Sequence, residues 1–168
     1  GIVCDQSIRV AGDTFNRDIL DYMRRQHNLL IGERSAERVK IEVGSALTEL
    51  DDGPADYEIR GRDLMTGIPK TIKISYSEIA FALDKSVSKL EEAVLKALET
   101  SPPELSADIY ERGIYLTGGG ALLRGLDRRL ALKTKLPIHV ADDPLRAVVR
   151  GTGQTLKNIQ QFRAVLMT

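Results

Sequence analysis

The sequence predicts a mixed α/β fold, and three observations carry that prediction. Between residues 57 and 74 apolar and polar residues alternate as in strands, while the stretches on either side repeat at three-to-four spacing as in helices. Toward the C-terminal end, "GIYLTGGGALLRGLDRRL" runs from an apolar strand through three glycines into leucine spacing, and a second strand and helix follow. Strand–helix–strand–helix is the pattern of a parallel crossover. Read along the chain, the element order is β–β–α–α–β–β–α–α–β–α–β–α.

The chain opens on Gly1 and enters a strand-like run at once, which predicts a fragment of a longer protein. Ile2 to Cys4 and Ile8 to Ala11 flank Asp5-Gln6-Ser7 as a hairpin or one bent strand. Gly12 ends it, and Asp13 is placed to cap a helix that carries Phe15, Ile19, Tyr22 and Met23 on one face. In "GERSAERVKIEVGSAL" Ser35 is the expected N-cap, and Ala36, Val39, Val43 and Leu47 form the apolar stripe. Glu37, Lys40 and Gly44 make a second stripe beside it. A glycine inside a helix costs about 1 kcal/mol against Ala, so Gly44 points to a close approach.

Asp51-Asp52-Gly53-Pro54 opens the β part. Tyr57/Ile59 and Ile72/Ile74 then alternate around a Thr66-Gly67-Ile68-Pro69 turn, an antiparallel hairpin. Ser75 with Glu78 is a capping box. The helix beyond it carries Ile79, Leu83, Val87, Leu90, Val94 and Leu98 and stops before Pro102-Pro103. Its stripe fits a domain core better than a coiled coil, because no heptads continue past the prolines. A short helical turn from Glu104 to Arg112 closes at Gly113. Ile114 to Thr117 is a strand, Leu122, Leu123, Leu126 and Leu130 define a helix, and Ile138 to Ala141 is a strand. Asp142-Asp143-Pro144 begins the last helix.

Composition narrows the function. Hydrophobic residues make up 42% and charged residues 29% of 168, with formal net charge zero, so nothing electrostatic calls for nucleic acid. One cysteine excludes an intrachain disulfide, and with two histidines it cannot build a typical zinc site. Cys4, His27 and His139 read as ordinary core or surface residues. No apolar run approaches the roughly 20 residues of a membrane-spanning helix. Arg124, Arg128 and Arg129 read as a solvated helix face.

The glycines at 118–120 admit several readings. A Walker A loop fails, because Leu126-Asp127 stands where Lys-Ser/Thr is required after Gly120 and Gly125. A dinucleotide-binding domain has the strand, Gly118-x-Gly120, the helix and Asp142 at a suitable distance, but its third glycine position is Leu123. The glycines can also simply pack a helix on a sheet. Or they leave a backbone surface free of side chains, against which a planar ring such as adenine lies, with Glu37 and Lys40 as polar partners and Gly44 making room.

Four blocks, "GERSAERVKIEVGSAL", "SPPELSADIYERGIYLTGGG", "LTGGGALLRGLDRRL" and "DDPLRAVVRGTG", together resemble the MreB family of bacterial actin-like cell-shape proteins, over essentially the whole chain. The resemblance implies the second lobe of an actin-like ATPase. Residues 1–14 and 85–154 would be subdomain IIA, residues 15–84 the inserted subdomain IIB, and residues 155–168 a C-terminal helix crossing toward the first lobe. It further implies that Glu37 and Lys40 contact ribose and adenine, that Gly118, Gly119, Gly120 and Ala121 form the adenosine floor, and that Gly12 lies near the phosphates. Asp142 and Asp143 read as helix caps, not ligands. ATP is the implied cofactor, with Mg2+, the phosphate loops and the catalytic acid supplied upstream. This stretch alone would then be inactive, although the family hydrolyses ATP slowly. The implied partners are further copies of itself, stacked head to tail through IIA and IIB, and proteins of the membrane-bound cell-wall elongation complex. The implied location is the cytoplasm, with membrane association in filaments through parts outside this chain. The contrasting alternative is a dinucleotide-binding, Rossmann-like enzyme domain.

Overall fold

The computed structural model describes residues 12–117 and 119–140. The expected opening hairpin, Cys4, Gly118, the Asp142-Asp143-Pro144 cap and the final helix lie outside the described residues. The chain divides into two compact units. One holds residues 13–86 and 123–125; the other holds residues 12, 87–117, 119–122 and 126–140 of those described.

The first unit begins with helix α1 (Gly12–His27), in which Asp13 stands inside the first turn, where the helix dipole favours a carboxylate. Phe15, Ile19 and Met23 are buried on one face, as their spacing requires. Strand β1 (Leu29–Leu30) follows, and at two residues it is too short to leave a periodic signal. Helix α2 spans Glu33–Val43 and buries Ala36, Val39 and Val43. Its N-cap is Gly32, not Ser35: Gly32 is extended, and its carbonyl accepts from the Ala36 N–H at 3.0 Å. The first helical bond therefore spans Ser35, which stands inside the first turn.

The expected hairpin is present as β2 (Tyr57–Asp63) and β3 (Pro69–Ile74), antiparallel with Ile59 opposite Ile72. β1 pairs antiparallel with the other edge of β2, which gives a three-stranded sheet in the order β1-β2-β3. Helix α2 packs against β2. Leu29, Ile59 and Ile74 add the sheet's share of the buried apolar residues. Helix α3 (Tyr76–Thr100) then starts from a formed capping box. The Glu78 N–H donates to Ser75 Oγ at 3.2 Å, and the Ser75 N–H donates to Glu78 Oε2 at 3.4 Å. The other carboxylate oxygen, Glu78 Oε1, accepts from the Tyr22 hydroxyl and lies beside His27 Nε2, both at 2.9 Å. The end of α1 is thereby tied to the start of α3.

In the second unit α3 continues with Val87, Leu90, Ala93, Val94 and Ala97 buried. A 3-10 turn (Pro103–Leu105) and helix α4 (Ser106–Arg112) follow it and end at Gly113. Gly113 has φ +81°, and a side chain there would place its Cβ 2.2 Å from the Pro137 carbonyl oxygen, so this turn requires glycine. Strand β4 (Ile114–Leu116) pairs parallel with β5 (Ile138–Val140), Ile114 opposite Ile138. Helix α5 (Leu126–Thr134) makes the crossover and packs on β5. The parallel crossover expected from the sequence is therefore formed, but its helix starts at Leu126 and not at the first leucines.

Candidate functional site

The residues singled out for nucleotide contact fall on short structural features in each unit. In the first unit, α2 presents Glu37 and Lys40 one turn apart. Lys40 Nζ lies 2.9 Å from Glu37 Oε2, and the Lys40 side chain is only 18% exposed. Asn16 of α1 donates from Nδ2 to the same Oε2 at 2.7 Å. Two donors on one carboxylate favour its charged form. The Lys40 hydrogen bond first, and that of Asn16 second, lower the Glu37 pKa against the opposing effect of burial.

Gly44 does not sit inside the helix. It is the C-cap of α2, extended at φ −66° and ψ 136°, with its N–H donating to the Lys40 carbonyl at 2.8 Å. A Cβ at Gly44 would lie 2.2 Å from that carbonyl oxygen and 3.1 Å from Leu123 Cδ1. The close approach inferred from the sequence is real, and the described atoms that make it belong to Lys40 and Leu123. Leu47 consequently falls beyond the helix and not on its apolar stripe.

The chain leaving Gly44 meets the segment that follows the glycines. Ser45 bridges in parallel with Arg124, and the Ala46 N–H donates to the Arg124 carbonyl at 2.8 Å. The Arg124 guanidinium donates to the carbonyls of Ile41 at 3.0 Å and Gly44 at 3.3 Å. Both carbonyls lie at the C-terminal end of α2, where a cation is favoured. Arg124 is thus a helix cap, and the expectation of one solvated arginine face is corrected. Arg129 lies on α5 in an ion pair with Glu91 of α3, and of the three only Arg128 is exposed.

In the second unit β4 ends at Leu116, and Thr117 follows, fully buried, with no hydrogen-bond partner for its Oγ1 among the described residues. The expected turn after this strand is present. Gly119, Gly120, Ala121 and Leu122 form a 3-10 turn, and Gly120 is buried. Leu122 is 59% exposed and lies in that turn, not in the helix. Gly118 lies outside the described residues, and Gly12 is the first residue of α1. Gly119 and Gly120 thus open a tight turn after the strand and before the helix begins.

The sequence reading missed Asn16. Its neighbour Phe15 marks the buried edge of α1, and asparagine has a modest helix propensity. A polar residue beside a core position in mid-helix was the available signal. Its partner lies 21 residues on, which no local periodicity reveals.

The fold with these turns defines an actin-like lobe. The structure resembles the crystal structure of MreB5 of Spiroplasma citri bound to AMPPNP, with a TM-score of 0.84 and 41% identity over 90% of this chain and 45% of that one. The MamK double helical filament, 18% identical, shares the fold alone, with a TM-score of 0.64 over 80% of this chain and 40% of that one. The MreB/Mbl protein family model matches residues 1–164, and the chain belongs to that family. The cell shape-determining protein Mbl of Bacillus subtilis is 46% identical over 161 residues, 96% of this chain and 48% of that protein. The cell shape-determining protein MreB of Escherichia coli is 47% identical over 159 residues, 95% of this chain and 45% of that protein. The chain therefore spans about half the length of these relatives.

Proposed function

We propose that this chain is the second lobe of an actin-like protein that binds ATP, polymerises and sets cell shape by organising cell-wall synthesis. Membership of the MreB/Mbl family carries the proposal. Nucleotide binding is supported by the 41% identity to MreB5 of Spiroplasma citri, whose structures are bound to ADP and AMPPNP. In this reading Glu37 and Lys40 contact ribose and adenine. Gly118, Gly119, Gly120 and Ala121 form the floor under the ring, Gly44 makes room for it, and Gly12 lies near the phosphates. Mg2+ is held by residues outside this chain. Residues 1–14 and 85–154 are subdomain IIA, residues 15–84 are subdomain IIB, and residues 155–168 cross toward the first lobe.

Self-association is supported by the actin-like fold shared with the MamK filament. A head-to-tail contact between IIA of one copy and IIB of the next does not close on itself, so it propagates. Further partners in this reading are the membrane-bound proteins of cell-wall elongation. The location is the cytoplasm, at the membrane when the protein is in filaments.

The test uses the full-length protein. Titration calorimetry is expected to find ATP binding and no NAD binding, with Lys40→Ala and Gly119→Val each weakening ATP. The first removes a polar contact, and the second puts a branched side chain where the ring lies. Unchanged affinity in Gly119→Val sinks the floor assignment. Electron microscopy with and without ATP is expected to find straight protofilaments, and their absence under every nucleotide condition, including on lipid, counts against the cytoskeletal reading.

A further inference from the structure

We propose that Asn16 is the positioning residue for the ribose-recognising carboxylate, holding Glu37 so that one of its oxygens stays available to a sugar hydroxyl. The inference rests on the nucleotide reading above, and it adds a residue outside every motif that reading uses.

The geometry is asymmetric. Asn16 Nδ2, at 2.7 Å, and Lys40 Nζ, at 2.9 Å, both bind Glu37 Oε2. Among the described residues Oε1 receives neither a hydrogen bond nor an ion pair. A carboxylate held by two donors on one oxygen has its rotation fixed, and its other oxygen becomes a charged acceptor at a defined place. The Glu37 side chain is 45% exposed, so a ligand can reach it. A ribose hydroxyl is a donor that suits it.

Asn16 itself is in a costly position. Its Oδ1 is buried, with no hydrogen-bond partner among the described residues. Turning the amide over would set that oxygen against the Glu37 carboxylate, so the donor contact fixes the amide's orientation. A buried acceptor left unsatisfied is a penalty to the fold. Leucine, of similar size, would lack that penalty. The stability of α1 therefore does not account for asparagine here, whereas its grip on Glu37 does. Lys40 cannot replace it, since an ammonium on a flexible stem fixes position less well than a planar amide.

The experiment compares ATP with its 2′-deoxy and 3′-deoxy analogues in the full-length protein, for the unaltered chain, Asn16→Leu and Asn16→Ala. Titration gives the affinity ratios and thermal melting gives the stability. The unaltered protein is expected to prefer ATP over at least one analogue by about tenfold, the scale of one charge-assisted hydrogen bond. Asn16→Leu is expected to melt as the unaltered protein does and to lose at least about threefold of that preference, while its affinity for the deoxy analogue stays nearly constant. Asn16→Ala should lose the preference in the same way. A merely structural role would lower affinity for all three nucleotides together or lower the melting temperature alone. Either result overturns the inference, and so does a preference that both variants retain. ATP binding without any preference in the unaltered protein overturns it as well. An unaltered protein that binds no adenine nucleotide overturns the nucleotide reading itself and takes this inference with it.

Discussion

Arg129→Met is expected to destabilise the unit containing α4, β4, α5 and β5 by about 3 kcal/mol. The magnitude follows from what the guanidinium leaves behind. Arg129 Nε donates to Glu91 Oε1, and Nη2 donates to Ser88 Oγ at 3.0 Å, so one side chain of α5 binds two residues of α3. The Arg129 and Glu91 side chains are 16% and 11% exposed. Removing one partner of a buried pair costs roughly 3–5 kcal/mol, because the other charge stays desolvated without compensation, and the residual exposure here favours the lower end. The same change in a solvent-exposed pair would cost less than about 1 kcal/mol, so the two cases are well separated. The double variant Arg129→Met with Glu91→Met removes both charges and should recover most of the loss. The assay is urea unfolding followed by circular dichroism, with the slope checked for constancy across variants. A single-variant cost below about 1 kcal/mol, or a double variant no more stable than the single, refutes the reasoning.

Two pH predictions follow from the first unit. The hydrogen bonds from Lys40 and then Asn16 lower the Glu37 pKa. The stability this carboxylate contributes is therefore present above its ordinary carboxyl pKa and lost as pH falls through the folded value. Carboxyl-detected NMR titration should find Glu37 low in the unaltered protein and higher in Lys40→Ala, and an unchanged midpoint would show that the ion pair is not populated in solution. Burial, followed by the hydrogen bond and negative charge of Glu78, raises the Tyr22 pKa to about 12. Its contribution is present below the ordinary phenol value of about 10 and lost as pH rises toward the folded value. Tyrosinate absorbance should lose its highest-titrating step in Tyr22→Phe, and a step that persists would assign it to another tyrosine.

What the sequence made legible depended on how local each cause is. The hairpin 57–74, the Ser75–Glu78 capping box, the long helix up to the Pro102-Pro103 stop and the Gly113 turn are each set by residues a few positions apart, and each is formed. The errors lie at ends and crossings. Ser35 looked like a cap because its hydroxyl suits the role, yet the first turn starts at Gly32 and encloses Ser35. Leu122 and Leu123 looked helical because their spacing fits Leu126 and Leu130. Instead Gly119 to Leu122 wind into a 3-10 turn, and Arg124 bonds to the end of α2 some 80 residues earlier. No periodicity encodes a contact of that range.

The candidate site shows the same division more sharply. The Glu37–Lys40 pair is a one-turn relation and could be read from spacing alone. Spacing could not tell a solvated helix pair from a recognition element, because both place a carboxylate beside an ammonium. Asn16 is the feature on which the proposal above chooses between them. A pair whose only role is to decorate an exposed helix needs no third donor from another helix, still less one whose own oxygen is buried without a partner among the described residues. Holding an already paired carboxylate at that cost has a purpose when the remaining oxygen must meet a ligand in a fixed place. In the proposed nucleotide reading, the long-range contact that the sequence concealed is the one that would position the locally visible pair for its ligand.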